Sequence, residues 1–201
     1  MARVTTFRLL PSRLPAFVLA PIVRRLAAAG VTPMALSLAG LAGNAAAAIV
    51  ISQGALFIGG TIMLLASALD LLDGALARAT NTASPAGALI DSTLDRASEA
   101  VVLLGAFMYV LGTRNDTAAV LAFVAVVGSL MVSYVRARAE GLGVEMTDGL
   151  FTRPERVLLL GSALILGYLT IALWVLAVLT TLTALQRLLI GIRLLQRHGR
   201  R

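Results

Sequence analysis

The chain has 201 residues, 59% of them hydrophobic and only 13% charged, with a mean hydropathy of +0.92. Without cysteine it has no disulfide framework and poor means of holding zinc. Its one histidine, His198, lies in the terminal RHGRR, so catalysis would rest on carboxylates, hydroxyls or arginines. The net charge of +7 comes with 17 basic residues, all arginine, which gather on one set of loops; that is the mark of one side of a membrane and excludes a nucleic-acid-binding face.

Apolar runs of spanning length, separated by short polar breaks, predict an all-α integral membrane protein forming a single domain over residues 1–201. From about residue 5 to 29, arginines flank the short apolar stretch PAFVLAPIV, which Pro21 interrupts and Arg24 and Arg25 follow. This lacks the features of a cleavable signal peptide and reads as an amphipathic interfacial helix. A six-helix membrane bundle with an amphipathic tail is expected from about 33 to 197. The first span starts near Pro33 and ends before Ser52-Gln53-Gly54; Ser37, Gly40, Gly43 and Ala47 give it a small-residue face for close packing. The second runs from about 55 to 79. Ser84 as N-cap and Pro85 at the first helical position open the third, which continues to about 111. Asp116 is expected to cap the fourth, ending near Gly141. Thr152-Arg153-Pro154-Glu155 has capping-box spacing and starts the fifth. The uncharged stretch from Val157 to Gln186 is too long for one span and divides near Tyr168–Trp174, where aromatics suit an interface. The sixth then begins near Ile171.

Loop charge orients these spans. Five arginines precede the first span, Arg136, Arg138, Arg153 and Arg156 join the fourth to the fifth, and five more follow in the tail; the opposite side offers only Arg114. Both termini and the ends of spans two and three near residue 80 are therefore expected in the cytosol, in a cell (inner or plasma) membrane.

That end carries DLLDGALARATNTASPAGALIDSTLD, from Asp70 to Asp95. A single aspartate at the centre of a spanning helix costs about 2.5–3.5 kcal/mol on translocon scales, so four unpaired ones would cost on the order of 10 kcal/mol. Asp70 and Asp73 share one helical face, with Gly74, Ala77 and Arg78 continuing along it. Gly87, Asp91 and Asp95 recur every four residues on the next helix, and Glu99 extends that row. If the two helices pack as a hairpin, four carboxylates converge in the way that bundles build metal sites. Oxygen-only donors favour a hard cation, Mg²⁺ or alternatively Mn²⁺, and four could hold two ions that offset the burial cost. Gly74 and Gly87 leave room for a bulky phosphate-bearing ligand, and Arg78 is a natural diphosphate clamp.

Asp70-x-x-Asp73-Gly74-x-x-Ala77-Arg78, eight residues, then Gly87-x-x-x-Asp91-x-x-x-Asp95 resembles the signature of the CDP-alcohol phosphotransferases at every defined position. The resemblance implies that a CDP-linked lipid, CDP-diacylglycerol or CDP-archaeol, gives up its phosphatidyl group to an acceptor hydroxyl and that CMP leaves. It implies metal ligation by Asp70, Asp73 and Asp91. Asp95 would be both near the metals and the general base, while Gly74, Ala77, Arg78 and Gly87 would contact the cytidine diphosphate. It also implies a homodimer. SYVRARAEGLG followed by RPERV is similar to the subgroup that makes phosphatidylinositol phosphate or archaetidylinositol phosphate, whose acceptor is inositol 1-phosphate. On that resemblance Ser133, Arg136, Arg153 and Arg156 form the acceptor site, with Arg193 a weaker candidate. Serine and glycerol 3-phosphate are the competing acceptors, and positive-inside bias alone would also put arginines there.

Asn44 is expected to be an interhelical hydrogen-bond donor, Glu99 a structural partner, and Arg96 a partner of Glu99 or of a motif aspartate. Glu140, Glu145 and Asp148 are read as a solvated loop. An ion or proton transporter would also use intramembrane carboxylates, but it leaves the Gly, Ala and Arg positions without a role.

Overall fold

The structure, a computed structural model, describes residues 16–146 and 149–198. Within them are seven helices and no strand: α1 (Ala16–Ala28), α2 (Pro33–Ser52), α3 (Leu56–Ala79), α4 (Pro85–Gly112), α5 (Asp116–Gly141), α6 (Arg153–Leu166) and α7 (Leu169–His198). Of the stretch from about 5 to 29 where an interfacial helix is expected, residues 16–28 form α1; residues before 16 lie outside the described residues, as does Asp148. Four helices, α2, α3, α5 and Leu169–Gln196 of α7, are long and apolar enough to cross a bilayer, and the protein is membrane-embedded. The other two expected spans differ from these for physical reasons. α4 has 28 residues, but Asp91, Asp95, Arg96 and Glu99 fall between its seventh and fifteenth positions. α6 has 14, or about 21 Å of helix, against a hydrocarbon core of about 30 Å.

Most helix ends follow local chemistry. Thr32 caps α2 by accepting from the Ala35 N–H at 3.2 Å, and Ser84 caps α4 by accepting from the Gly87 N–H at 3.1 Å; proline follows each cap. Two expectations need correction. Asn115, not Asp116, caps α5, its Oδ1 accepting from the Ala118 N–H at 3.0 Å, because the amide can turn back over the first turn from outside the helix. Thr152 does stand at the N-cap of α6, but its hydroxyl donates to the Glu155 carboxylate, so the capping box does not close on the backbone. The long apolar stretch breaks at Gly167, whose φ of 78° ends α6 in the left-handed region. The break comprises Gly167 and Tyr168, at the near edge of the expected Tyr168–Trp174 division.

α2 lies at the centre. α3 and α4 both pack along it, α3 also meets α6 and α1, α4 meets α5, and α5 meets α7. The expected α3–α4 hairpin is therefore not formed by direct packing; the two have no extensive contact, and α2 stands between them. The small residues explain this. A Cβ on Gly43 would lie 2.8 Å from the Ala66 Cβ of α3, and on the other flank Gly105 of α4 abuts the Ala48 backbone, at 2.7 Å from its Cα for an added Cβ. Beyond α2, the starts of α4 and α6 and the ends of α3, α5 and α7 surround a polar basin.

Candidate active site

The four motif aspartates reach this basin from two separated helices. Each is the electrostatic neighbour of the next in a closed ring: Asp70 with Asp73, Asp73 with Asp91, Asp91 with Asp95, and Asp95 with Asp70. Asp73 is buried, its Oδ2 accepting from the Ser37 hydroxyl at 2.6 Å and its Oδ1 from the Gly74 N–H. Asp70 rests against Gly40 of α2, where a methyl group would collide with its Oδ1. Arg153, in the first turn of α6, joins the two helices. Its Nη2 donates to Asp70 Oδ2 at 2.7 Å, and its Nη1 lies 2.8 Å from Asp95 Oδ1. Arg96 adds a longer pairing to Asp95 Oδ2 at 3.6 Å.

Among the described residues no three carboxylates close on one point as a ready chelate. The convergence expected from a hairpin takes the form of a ring with the Arg153 guanidinium inserted between Asp70 and Asp95. The chemistry of the donor set nevertheless fits divalent metal. Every candidate donor is a carboxylate oxygen, and the charge is concentrated enough that the chain itself bridges two of the four with an arginine.

Two hollows open on either side of the ring. One, of about 380 Å³, is lined by Ser37, Asp73, Gly74, Ala77, Arg78, Gly87 and Asp91, which brings the whole expected nucleotide set together. Gly74 faces the arginine, since a Cβ there would stand 3.4 Å from Arg78 Nη1. The other, of about 1130 Å³, is lined by Asp70, Asp91, Asp95, Ser133, Arg136, Arg153, Arg156 and Arg187. Asp91 belongs to both walls, so the ring is the partition between them.

The arginines around the larger hollow differ in what their side chains touch. Arg156 borders it but is only 3% exposed. Its Nε and Nη2 donate to the two Glu99 oxygens at 2.6 and 2.9 Å, and its Nη1 donates to the Phe151 carbonyl at 3.2 Å. That fork is spent within the protein, and Glu99 is its structural partner. Arg193 is exposed and does not line the hollow. Arg187 does: it is buried, and its Nη1 donates to the Val132 carbonyl at 2.7 Å. It extends the buried stripe of α7 through Leu176, Thr180 and Thr183, a periodicity legible in the sequence once α7 is divided correctly. Arg136 lines the hollow while its Nε donates to Glu140 at 2.8 Å, which makes Glu140 part of α5 rather than of a loop. Glu145 is exposed as expected. Asn44 donates within its own helix, to the Gly40 carbonyl at 3.0 Å, rather than across helices.

The CDP-alcohol phosphatidyltransferase family model matches residues 30–186. The phosphatidylinositol phosphate synthase of Mycobacteroides abscessus is 35% identical over 177 residues, covering 84% of this chain and 80% of that protein. The archaetidylinositol phosphate synthase of Methanothermobacter thermautotrophicus is 35% identical over 144 residues, covering 69% and 71%. The crystal structure of the Mycobacterium tuberculosis phosphatidylinositol phosphate synthase with CDP-DAG bound superposes with a TM-score of 0.81 at 29% identity, over 87% of this chain and 94% of that one. The same enzyme in complex with manganese and citrate gives a TM-score of 0.80 at 30% identity, over 85% and 87%. With a matched span that contains every motif aspartate, the glycines of the smaller hollow and every arginine lining either hollow except Arg187, the chain belongs to the CDP-alcohol phosphatidyltransferase family.

Proposed function

We propose that this enzyme transfers a phosphatidyl group from CDP-diacylglycerol, or its archaeol counterpart, to a hydroxyl of inositol 1-phosphate and releases CMP. The observation that carries the reading is the pair of hollows meeting at the aspartate ring, one with the nucleotide-binding pattern and one lined by arginines. Relatives named for the phosphatidylinositol phosphate and archaetidylinositol phosphate syntheses support the choice of acceptor.

Asp70, Asp73, Asp91 and Asp95 would hold two Mg²⁺ or Mn²⁺ ions, a proposal supported by a relative crystallised with manganese. When bound, such ions neutralise charge that builds on the diphosphate and on the attacking and leaving oxygens. The remaining work falls to the chain. Gly74, Ala77 and Gly87 let the cytidine diphosphate approach the backbone, and Arg78 clamps it. Ser133, Arg136, Arg153 and Arg187 orient the acceptor phosphate in fork geometry. Asp95 accepts the proton of the acceptor hydroxyl as its oxygen bonds to the lipid-side phosphorus, and the bond from that phosphorus to CMP breaks. Arg156, through Glu99, holds α6 against α4 so that Arg153 faces the ring.

In this reading residues 1–201 form one domain, with α4 and α6 completing a six-segment bundle and the N-terminal helix at the interface. The arginine-rich end, both termini and the active site face the cytosol of a cell membrane, and two chains pair as a homodimer. Loop charge favours that orientation.

The test is CMP release by detergent-purified protein with CDP-diacylglycerol or CDP-archaeol and Mg²⁺, adding inositol 1-phosphate, inositol, glycerol 3-phosphate or serine singly. Release with inositol 1-phosphate alone is expected. Release with a different acceptor would keep the aspartate chemistry and overturn the acceptor, and no release with any would overturn the reaction.

A further inference from the structure

Arg153 holds one nitrogen on a carboxylate of α3 and another on a carboxylate of α4, at 2.7 and 2.8 Å. The oxygens it engages, Asp70 Oδ2 and Asp95 Oδ1, are among those that the preceding reading gives to metal. A guanidinium and a divalent cation cannot share them, since two positive centres at ligand distance repel strongly. The bridging position is also incomplete for the arginine itself: its Nε is buried with no hydrogen-bond partner among the described residues. The side chain is 21% exposed and borders the arginine-lined hollow, so rotation about its own torsions can bring the fork toward an anion there.

Among the described residues no other arginine lining the basin is shown bridging two ring carboxylates. Arg156 is fixed on Glu99 and Phe151, and Arg96 donates to the Ser92 carbonyl at 2.8 Å and pairs with Asp95 only at 3.6 Å. Arg136 and Arg187 also line the hollow, where Arg136 donates to Glu140 and Arg187 to the Val132 carbonyl.

We propose that Arg153 is an exchangeable counter-ion: divalent metal displaces it from Asp70 and Asp95, the acceptor phosphate receives it, and the two ligands thereby bind cooperatively through one side chain. The inference rests on the assignment of the ring to metal and of the larger hollow to the acceptor. Its thermodynamic consequence is reciprocal, because whatever factor a phosphate adds to metal affinity, metal adds to phosphate affinity. It also gives a positional reason for an arginine here. Lysine carries the same charge but presents a single point rather than a fork spanning two carboxylates.

The experiment measures Mn²⁺ binding to the purified full-length protein in detergent, by the electron paramagnetic resonance signal of free Mn²⁺. It is run with and without inositol 1-phosphate, and again with inorganic phosphate. For the wild type, saturating phosphate is expected to tighten Mn²⁺ about tenfold, within the usual range of coupling between sites. Arg153→Gln should bind Mn²⁺ more tightly than wild type in the absence of phosphate and lose the coupling. Arg153→Lys should keep only a remnant of it. Arg96→Gln removes the same charge beside Asp95 without removing the bridge, so its coupling should persist; circular dichroism and gel filtration establish that each variant is folded. Wild-type Mn²⁺ binding that ignores phosphate would overturn the exchange while leaving the metal reading intact. So would coupling that survives in Arg153→Gln, or weaker Mn²⁺ binding by that variant. Absence of Mn²⁺ binding to the wild type would overturn the metal reading itself, and the exchange with it.

Discussion

Removing Arg156 should unfold this protein more readily than it impairs acceptor binding. The side chain is 3% exposed and its Glu99 partner 10%. The pair makes two charge-assisted hydrogen bonds, at 2.6 and 2.9 Å, and a third links Arg156 to the Phe151 carbonyl. Arg156→Met leaves a carboxylate buried without its cation, the situation in which breaking one side of a buried pair costs about 3–5 kcal/mol. For a chain of this size each kcal/mol shifts Tm by about 2–4 °C, so the midpoint in detergent should fall by about 6–20 °C. Glu99→Met strands the guanidinium and should cost a similar amount. The double variant replaces the pair by apolar volume and should return to within about 1 kcal/mol of wild type, since such replacements are often neutral. Thermal unfolding of the four proteins gives the coupling energy directly. The reasoning fails if Arg156→Met costs less than about 1 kcal/mol and raises KM for inositol 1-phosphate alone. That outcome would return Arg156 to the acceptor site.

Asp95→Asn should lower CMP release by at least about 10²-fold, the usual contribution of a general base, while equilibrium binding of CDP-diacylglycerol persists; wild-type-like turnover would remove Asp95 from that role. Arg187→Lys, which keeps the charge but loses the fork, should raise the acceptor KM about tenfold, equivalent to one charged hydrogen bond, whereas Arg193→Ala should leave it unchanged. Equal effects at the two positions would show that general positive charge, not geometry, serves the acceptor. Gly105→Ala should destabilise by about 1–3 kcal/mol because the methyl meets the Ala48 backbone. At Gly112, where nothing lies within 4 Å of an added Cβ, alanine should be neutral or stabilising by up to about 1 kcal/mol, and thermal unfolding compares the two.

The order and approximate limits of the helices were legible because each depends on short-range chemistry. Thr32 or Ser84 before a proline sets a start, apolar length sets an extent, and charge in an apolar chain demands an explanation. The aspartate signature was legible for the same reason: helical periodicity alone puts Asp70 beside Asp73 and Asp91 beside Asp95. Spacing along one helix carries no information about what faces it from another. Only the tertiary structure put α2 between α3 and α4, Ser37 on Asp73, Arg153 across Asp70 and Asp95, and Arg156 on Glu99. An arginine's chemistry is the same at 153, 156, 187 and 193, and its sequence neighbours do not reveal whether a carboxylate, a carbonyl or solvent waits at the end of the side chain. That difference is settled by packing between helices distant in sequence, where residues as small as Gly43 and Gly105 determine how near two backbones come and hence which charges meet.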